Sequence, residues 1–384
     1  MFHVKRLGPD PLAHLAEQLA QLDRDGLRRR AAAPLPADAI SFCSNDYLGL
    51  AARPAPSAPS GAGASRLIAG ERDQHQQLEG ALARWLGSEQ ALLFTSGYAA
   101  NVGTLAALAG PGDLIVSDAL NHASLIDGAR LSRARIAVVP HADLAAVRAA
   151  LTERTEARAW VAVESYYSMD ADSPDLGALR EVCDEHGAGL IVDEAHALGV
   201  LGPQGRGLCA AAGVVPDVLV GTLGKAFGGQ GAFVAGRAVL RDFLWNRARS
   251  FVFSTGLAPV NAAAAMVALD QIVAHPELAV HVAAMATRLR TGLERAGASR
   301  LLGFGHVVPL LVGGAPKAVH LAERMRSHGI SVNAIRPPTV PPGTSRIRLT
   351  VTARHAAADI DRVIEAYASA FQVTVDEEAE AEAQ

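Results

Sequence analysis

The ten residues Val220-Gly221-Thr222-Leu223-Gly224-Lys225-Ala226-Phe227-Gly228-Gly229 indicate how this chain folds. A run with strand character, 216–220, leads into a turn of small residues that holds one lysine. Because its neighbours are too small to cover it, the amine of Lys225 can reach a bound molecule. A solvent-exposed loop lysine explains the segment equally well when it is taken alone.

The predicted strand that precedes this one in the chain favours a ligand-binding role for Lys225 over solvent exposure. Residues 189–192 are apolar, Asp193 ends the run, and His196 follows three residues later. A strand-end carboxylate, a nearby histidine and then a strand-end lysine form the arrangement of a pyridoxal 5'-phosphate (PLP) site. There Asp193 would face the pyridine nitrogen and stabilise the protonated ring, and His196 would reach the phenolic oxygen. A strand-end aspartate alone carries no such meaning.

Strand-like and helical segments alternate from about residue 90 onward. Continuous apolar strands separated by helices predict an α/β chain whose large domain has a mostly parallel, seven-stranded sheet covered on both faces. The predicted strands are 91–94, 114–116, 136–139, 160–163, 190–192, 218–220 and 232–234. Ligands bind at the C-terminal ends of such strands. We therefore expect convergence of the residues that follow them, which are Ser96, Gly97, Asp118, Glu164, Asp193 and Lys225.

The length of 384 residues suits two domains. We predict an N-terminal helical segment at 1–45, a large PLP-binding domain at 46–275 and a small C-terminal α+β domain at 276–372. Residues 373–384 are rich in glutamate and of low complexity, so we expect a disordered tail.

Composition excludes several classes of function. A formal charge of −4 argues against a nucleic-acid partner. Cys43, Cys183 and Cys209 are far apart and form no C-x-x-C pair, which predicts neither a disulfide framework nor a metal site and suits a reducing cytoplasm. No uncharged apolar run is long enough to span a bilayer, and the first ten residues lack the apolar core of a signal peptide.

Two further segments could complete a PLP site. The run 95–101 (Thr-Ser-Gly-Tyr-Ala-Ala-Asn) joins a strand to a helix, and the N–H groups of a helix N-terminus can bind a phosphate. Thr222 could also reach that phosphate. His122 follows another strand and could lie flat on an aromatic ring, although a lone histidine is more often structural. The PLP interpretation becomes strong only when all of the candidate residues are taken together in their order along the chain, which is Ser96, Gly97, His122, Asp193, His196, Thr222 and Lys225.

A nucleotide hydrolase is the competing interpretation. Residues 193–196 spell a helicase Walker B variant, and Gly224-Lys225 resembles the end of a P-loop. A P-loop requires a glycine where Leu219 stands and a serine or threonine where Ala226 stands. The two motifs also occur in reversed order, so we reject this alternative.

The chain resembles the α-oxoamine synthases, PLP enzymes of the aspartate-aminotransferase fold (fold type I), from about residue 27 to 370. The resemblance implies that Lys225 forms the Schiff base and that His122 stacks on the ring and assists as an acid. The segments that carry it are SNDYLGL (44–50), TSGYAAN (95–101), NHASLIDG (121–128), ESYYSMDAD (164–172), VDEAHALGVLGPQGRG (192–207), GTLGKAFG (221–228) and IRPPTVPPGTSRIRLT (335–350). The implied cofactor-binding residues are Gly97, Tyr98, His122, Ser168, Asp193, His196, Thr222, Lys225 and Thr255.

The resemblance also implies a substrate site. Arg348 would pair with the amino-acid carboxylate, for which a bidentate guanidinium is suited, and Asn45 belongs to the same site. Arg28 and Thr339 would contact the acyl substrate, whereas without the resemblance Arg28 is better explained as part of a solvated helix end. Family members are homodimers with the site at the subunit boundary, so Ser254 and Thr255 would serve the neighbouring site.

One segment discriminates within the family. Residues 336–341 (Arg-Pro-Pro-Thr-Val-Pro) look like those of the biotin-pathway member, an acyltransferase that condenses L-alanine with a pimeloyl thioester and releases CO₂. Either CoA or a carrier protein supplies the thiol, and the sequence does not distinguish them. The alternatives are a member that uses glycine or serine, and a catalytically silent partner subunit, which would typically lack the lysine. Ala171 departs from the usual glycine, and we expect a small change in that loop.

Overall fold

The structure is a computed structural model that describes residues 10–25, 27–28, 36 and 38–382, the last eleven of these by their backbone. The helices are α1 (Ala13–Arg24), α2 (Asp73–Leu86), α3 (Gly97–Leu108), α4 (Ala123–Ser132), α5 (Leu144–Thr152), α6 (Leu176–Glu185), α7 (Gly207–Ala211), α8 (Ala238–Arg247), α9 (Arg249–Val252), α10 (Pro259–Ala274), α11 (Glu277–Arg295), α12 (Ala315–Ser327) and α13 (Ala357–Glu382). The strands are β1 (Ile40–Ser41), β2 (Gln90–Phe94), β3 (Asp113–Asp118), β4 (Arg135–Val139), β5 (Arg158–Glu164), β6 (Gly189–Asp193), β7 (Val218–Thr222), β8 (Ala232–Gly236), β9 (Val307–Gly313), β10 (Ile330–Ser331), β11 (Asn333–Ile335) and β12 (Ser345–Thr350).

The large sheet has seven strands in the order β2-β8-β7-β6-β5-β3-β4. Strand β8 is antiparallel to both of its neighbours, and the other adjacent pairs are parallel. Each of the seven predicted apolar runs lies inside one of these strands. The prediction of a mostly parallel, seven-stranded sheet is therefore confirmed.

Both faces of this sheet are buried, which explains why its strands are apolar without alternation. Ile191 points into a core that also contains Leu105 of α3 and Leu125 of α4. Its neighbours Leu190 and Val192 point into the opposite core. Successive side chains of a strand face opposite sides of the sheet, so a sheet covered by helices on both sides needs an apolar residue at every position.

A smaller α+β region follows in the chain and includes the three-stranded antiparallel sheet β11-β12-β9. The segment 330–335 is divided between two strands, because β10 pairs with β1 while β11 pairs with β12. The N-terminal strand thus joins the C-terminal part of the chain. Helix α10 ends at Ala274 and α11 begins at Glu277; the domain boundary at 275–276 stays a prediction.

The last helix differs from the disordered tail that we predicted. Its backbone is helical through Glu382, which covers most of the segment 373–384. Alanine and glutamate, which dominate this segment, are among the strongest helix formers. The low-complexity segment therefore has a helical backbone as far as Glu382.

In the part of the chain that the structure describes, no single helix combines the length and apolar composition needed to cross a bilayer. Helices α10 and α11 pass that test only when they are taken together, across a bend of 73°.

Candidate active site

The site lies at the edge of the large sheet where strands β5, β6 and β7 end. Glu164 and Asp193 are the last residues of β5 and β6 and are paired in register. The turn after β7 carries Lys225, whose carbonyl accepts the Gly228 N–H at 2.8 Å. Gly228 has φ +63°, and a Cβ there would lie 2.3 Å from the backbone nitrogen of Ala51. Only glycine lets this turn pack closely on the segment that follows residues 44–50.

Lys225 shares its surroundings with two carboxyl groups. Burial lowers the pKa of its amine to about 8, although the charges of Asp193 and Glu164 act to raise it. Burial, and after it the charge of Asp193, raises the pKa of Glu164 to about 8. An amine with a pKa near neutrality exchanges protons readily at physiological pH, as a catalytic base must.

Asp193 is held by two donors. One oxygen accepts the Ala195 N–H at 2.9 Å, and the other accepts the Asn101 side-chain amide at 2.7 Å. The carboxyl group is buried. Its orientation is therefore fixed before any ligand binds.

His122 begins helix α4 as its N-cap residue. Its backbone N–H donates to Glu164 Oε1 at 2.6 Å, which ties the helix to the end of β5. Burial lowers the pKa of the imidazole, against the opposing charge of Asp193. The ring is therefore neutral at pH 7 and suited to stacking on an aromatic cofactor.

His196 forms a hydrogen bond with a tyrosine to which the sequence analysis gave no role. The Tyr47 hydroxyl lies 2.5 Å from His196 Nδ1. Burial, followed by the charges of Lys225 and Arg348, holds the pKa of His196 well below its usual value. Burial raises the pKa of Tyr47 to about 12, so its hydroxyl keeps its proton. Tyr47 belongs to the segment SNDYLGL, and its position in that motif is the sequence feature that could have indicated a role in the site.

Arg348 lies in the middle of β12, and the structure brings it together with Ser168 and Asn45. Its Nε donates to the Ser168 carbonyl at 2.8 Å. Both terminal nitrogens contact Asn45 Oδ1 at 3.2 Å, and Nη1 also donates to Thr350 Oγ1 at 3.0 Å. The side chain is nearly fully buried. Asn45 Oδ1 thus occupies the fork that a carboxylate would use.

The N-terminus of α3 fits a phosphate. The Ser96 side chain accepts the Ala99 N–H at 3.1 Å, which leaves the N–H groups of Gly97 and Tyr98 without acceptors inside the helix. A Cβ on Gly97 would meet no atom within 4 Å, so the space before it is open. The Tyr98 hydroxyl donates to Asp127 at 2.7 Å. Thr222, at the end of β7, accepts the Gly224 N–H at 3.2 Å.

Three predicted residues have contacts to their own neighbours in the chain. Thr255 is exposed, and its carbonyl accepts the Ser254 hydroxyl at 3.4 Å. Thr339 is also exposed, and its N–H donates to the Arg336 carbonyl at 3.0 Å. Arg28 forms an ion pair with Asp23. These contacts are with residues one to five positions away in the chain, and the roles of the three residues stay predictions.

The residues present fit PLP. A buried, oriented carboxyl group is available for the pyridine nitrogen, and an open helix N-terminus is available for the phosphate. Lys225 supplies an amine whose lowered pKa suits imine chemistry. The fold and this set of residues define a PLP-dependent enzyme of fold type I.

Comparison with known proteins specifies the class further. The family model for class I and II aminotransferases matches residues 37–366. The 8-amino-7-oxononanoate synthase of Anaeromyxobacter dehalogenans is 44% identical over 376 residues, which are 92% of this chain and 94% of that protein. The enzyme of the same name from Mycolicibacterium smegmatis is 46% identical over 91% of this chain and 94% of its own.

Solved structures agree with the fold. Sphingomonas wittichii serine palmitoyltransferase superimposes with a TM-score of 0.87 at 28% identity, over 95% of this chain and 99% of that one. An 8-amino-7-oxononanoate synthase from Francisella tularensis has the same fold, with a TM-score of 0.73 at 24% identity over 88% and 99% of the chains. The chain belongs to the 8-amino-7-oxononanoate synthases within the class I and II aminotransferase family. It is a PLP-dependent enzyme of the acyltransferase type, which confirms the family resemblance and the cofactor.

Proposed function

We propose that the enzyme condenses L-alanine with a pimeloyl thioester in biotin biosynthesis. The products are 8-amino-7-oxononanoate, CO₂ and a free thiol from CoA or a carrier protein. The observation that carries the proposal is the 44–46% identity, over nine-tenths of the chain, to enzymes named for this product. The predicted biotin-pathway segment at 336–341 supports the same reaction.

The chain's own residues supply the proton transfers. PLP, when bound, withdraws electrons from the amino-acid Cα, so that a proton and later a carboxyl group can leave. Lys225 removes and returns the Cα proton, for which its pKa of about 8 is suited. Asp193 orients the pyridine ring, and His122 covers its face. Burial keeps His122 neutral, so stacking places no second charge against the ring.

Substrate binding involves the other half of the site. Arg348 binds the alanine carboxylate, which replaces Asn45 Oδ1 at the fork of the guanidinium. The two contacts to Asn45 are 3.2 Å long, and a carboxylate forms shorter, stronger bonds with arginine. The Ser168 carbonyl keeps the guanidinium in place throughout. Thr339 and Arg28 contact the acyl chain.

We also propose a homodimer with the site at the subunit boundary. Phe253, which precedes Ser254 and Thr255, is 73% exposed, whereas Leu257 shortly after it is buried. An exposed aromatic residue beside these predicted contacts suits a subunit interface. A cytoplasmic location suits the free cysteines, of which Cys183 and Cys209 are buried.

The test is an assay of the purified, PLP-loaded enzyme with L-alanine and pimeloyl-CoA. Mass spectrometry should detect 8-amino-7-oxononanoate, and a thiol reagent should detect an equal amount of CoA. Turnover with a pimeloyl carrier protein alone would identify the carrier. Turnover of glycine or serine but not alanine would indicate another type of α-oxoamine synthase. A protein that gains no visible absorbance with PLP would favour the silent-subunit alternative.

A further inference from the structure

His122 is connected to Asp193 by two side chains from helices α3 and α4. The amide nitrogen of Asn101 lies 2.7 Å from Asp193 Oδ2 and 2.9 Å from Ser124 Oγ. Ser124 Oγ lies 2.7 Å from His122 Nδ1. The order of contacts is therefore Asp193, Asn101, Ser124 and His122.

The direction of each hydrogen bond follows from what each group can donate. A side-chain amide nitrogen donates two protons and accepts none. The carboxyl oxygen of Asp193 requires that the nitrogen end of Asn101 face it, which settles the orientation of the amide. Asn101 then donates its second proton to Ser124 Oγ. The single hydroxyl proton of Ser124 is left to donate to His122 Nδ1.

A second donor points at the same nitrogen. The backbone N–H of Ser124 lies 3.2 Å from His122 Nδ1, and a backbone amide can only donate. Two donors directed at Nδ1 make that nitrogen an acceptor. In a neutral imidazole the proton then resides on Nε2.

We propose that Asn101 and Ser124 are positioning residues that hold His122 as the neutral tautomer with its proton on Nε2. Helix α3 and the end of β6 thereby determine which group His122 presents to a ligand. Asn101 and Ser124 belong to the segments 95–101 and 121–128, and the family resemblance gave neither residue a role. The positioning role rests on the PLP chemistry proposed above but not on the identity of either substrate.

Burial keeps water away from the two side chains that connect Asp193 to His122. Asn101 is 2% exposed and Ser124 is fully buried, so bulk water cannot replace either donor. Within the described residues, Asn101 Oδ1 is buried without a hydrogen-bond partner. An unpaired amide oxygen destabilises the fold, so Asn101 is explained by its two N–H donors and not by packing.

The tautomer determines what His122 can do. With the proton on Nε2, the ring edge that faces away from Ser124 is a hydrogen-bond donor and can polarise a substrate oxygen while the neutral imidazole keeps its proton. With the proton on Nδ1, the same edge would offer only a lone pair, and two donors would oppose the N–H at Nδ1. Asn101 and Ser124 therefore support His122 as a hydrogen-bond donor, through its tautomer and without touching the reacting atoms.

The experiment measures the tautomer directly in the PLP-loaded enzyme labelled with ¹⁵N-histidine. The chain has 13 histidines, and the signals of His122 are identified by their loss in His122→Asn. Nitrogen chemical shifts distinguish a protonated from an unprotonated ring nitrogen. We expect a proton on Nε2 and none on Nδ1. A wild-type ring protonated on Nδ1, or on both nitrogens at pH 7, would overturn the proposal.

Two serine variants on the same helix test the role of the hydroxyl. In Ser124→Ala the backbone N–H still donates to Nδ1, so we expect a shifted His122 Nδ1 signal and partial population of the other tautomer. We expect kcat to fall about tenfold, less than the ~10²–10³-fold that removal of a whole hydrogen-bond donor costs, with little change in the alanine KM. The matched control is Ser132→Ala, also buried on α4, whose hydroxyl donates to the Ala129 carbonyl at 2.6 Å.

Ser132→Ala should leave both the His122 signals and kcat unchanged. A Ser124→Ala enzyme with wild-type His122 signals would overturn the proposal even if its stability fell. Ser124→Thr, which keeps the hydroxyl, should restore the wild-type signals. If Ser124→Ala does not fold, Asn101→Ala gives the same readout, because the Ser124 hydroxyl is then free to turn away from Nδ1. Neither the signals nor their change requires that pimeloyl thioester be the substrate.

Discussion

The two sheets contribute to the site in different ways. The large, mostly parallel sheet supplies Glu164, Asp193 and the turn of Lys225 from the ends of its strands. The small antiparallel sheet supplies Arg348 from the middle of β12. A parallel sheet collects functional residues at one edge, whereas an antiparallel strand offers every second residue on one face. Strand ends can be read from a sequence, but a functional position in mid-strand cannot.

The site therefore has two halves: the strand-end half, with Glu164, Asp193 and Lys225, and the substrate half around Arg348. These two halves should also have different kinetic roles. Lys225 has a pKa suited to moving protons, and its neighbours are carboxyl and imidazole groups. Arg348 is surrounded by acceptors, the Ser168 carbonyl and Asn45 Oδ1. Changes in the first half should therefore lower kcat, and changes in the second should raise KM.

Lys225→Ala should have the largest effect. Loss of the amine removes both the covalent attachment of PLP and the base, so kcat should fall by more than about 10³-fold. Lys225 is half-buried in a turn and supports little packing, so the melting temperature of the cofactor-free protein should change little. Stopped assays of product and thermal unfolding measure the two quantities.

The control for this change is Lys317→Ala, which removes an exposed lysine of α12. It should keep wild-type turnover. A Lys225→Ala enzyme that retained appreciable turnover would contradict the assignment of the strand-end half to chemistry.

Arg348→Lys should raise the alanine KM about tenfold, because lysine keeps the charge but loses the planar fork, which costs about 1.4 kcal/mol of binding. Its kcat should change much less. The matched control is Arg346→Lys, two residues earlier on the same strand face. Arg346 donates to Asp170 at 2.7 Å and to the Met169 carbonyl at 2.9 Å. An alanine KM that rises equally in both variants would show that Arg348 acts only through the fold.

The sequence predicted the first half of the site better than the second for a physical reason. Strand periodicity and strand ends are local properties, and all seven strands and the positions of Asp193 and Lys225 followed from them. The neighbours of Asp193 are not local, since Asn101 is 92 residues away in the chain. Tyr47 and His196 are separated by 149 residues. Arg348 was assigned through family resemblance, because nothing in β12 itself distinguishes it from Arg346.

Glu164→Gln should change the pH dependence of the strand-end half. Glu164 and Lys225 both titrate near pH 8, and wherever Glu164 is ionised its carboxylate acts to raise the pKa of Lys225. Removal of this charge should therefore lower that pKa. Lys225 acts as a base only when neutral, and a lower pKa extends its neutral form to lower pH. The acidic limb of the kcat–pH profile should therefore move to lower pH. Glutamine keeps an oxygen for the His122 N–H.

The control for this shift is Glu185→Gln, which removes an exposed carboxylate that pairs with Arg148. Its kcat–pH profile should coincide with that of the wild type. An unchanged or upward-shifted acidic limb in Glu164→Gln would mean that Asp193 alone sets the charge around Lys225.

The turn that joins the two halves should be the least sensitive to change. Ala171, where glycine was expected, has φ +56° and is fully buried. Its N–H donates to the Tyr167 carbonyl and its carbonyl accepts the Phe304 N–H, both at 2.7 Å. The same turn carries Ser168, which holds Arg348. Hydrogen bonds at both ends thus keep an alanine in a backbone conformation that favours glycine.

Ala171→Gly should relieve about 1 kcal/mol of left-handed strain, but glycine loses roughly 0.5–1 kcal/mol more conformational freedom on folding. The melting temperature should therefore rise by no more than about 2 °C. Ala142→Gly, at another alanine with positive φ of 53°, should give a similar shift, because the backbone contribution is the same. The alanine KM should stay unchanged in both variants. A KM change in Ala171→Gly alone would mean that strain in this turn positions Arg348, which would join the two halves mechanically.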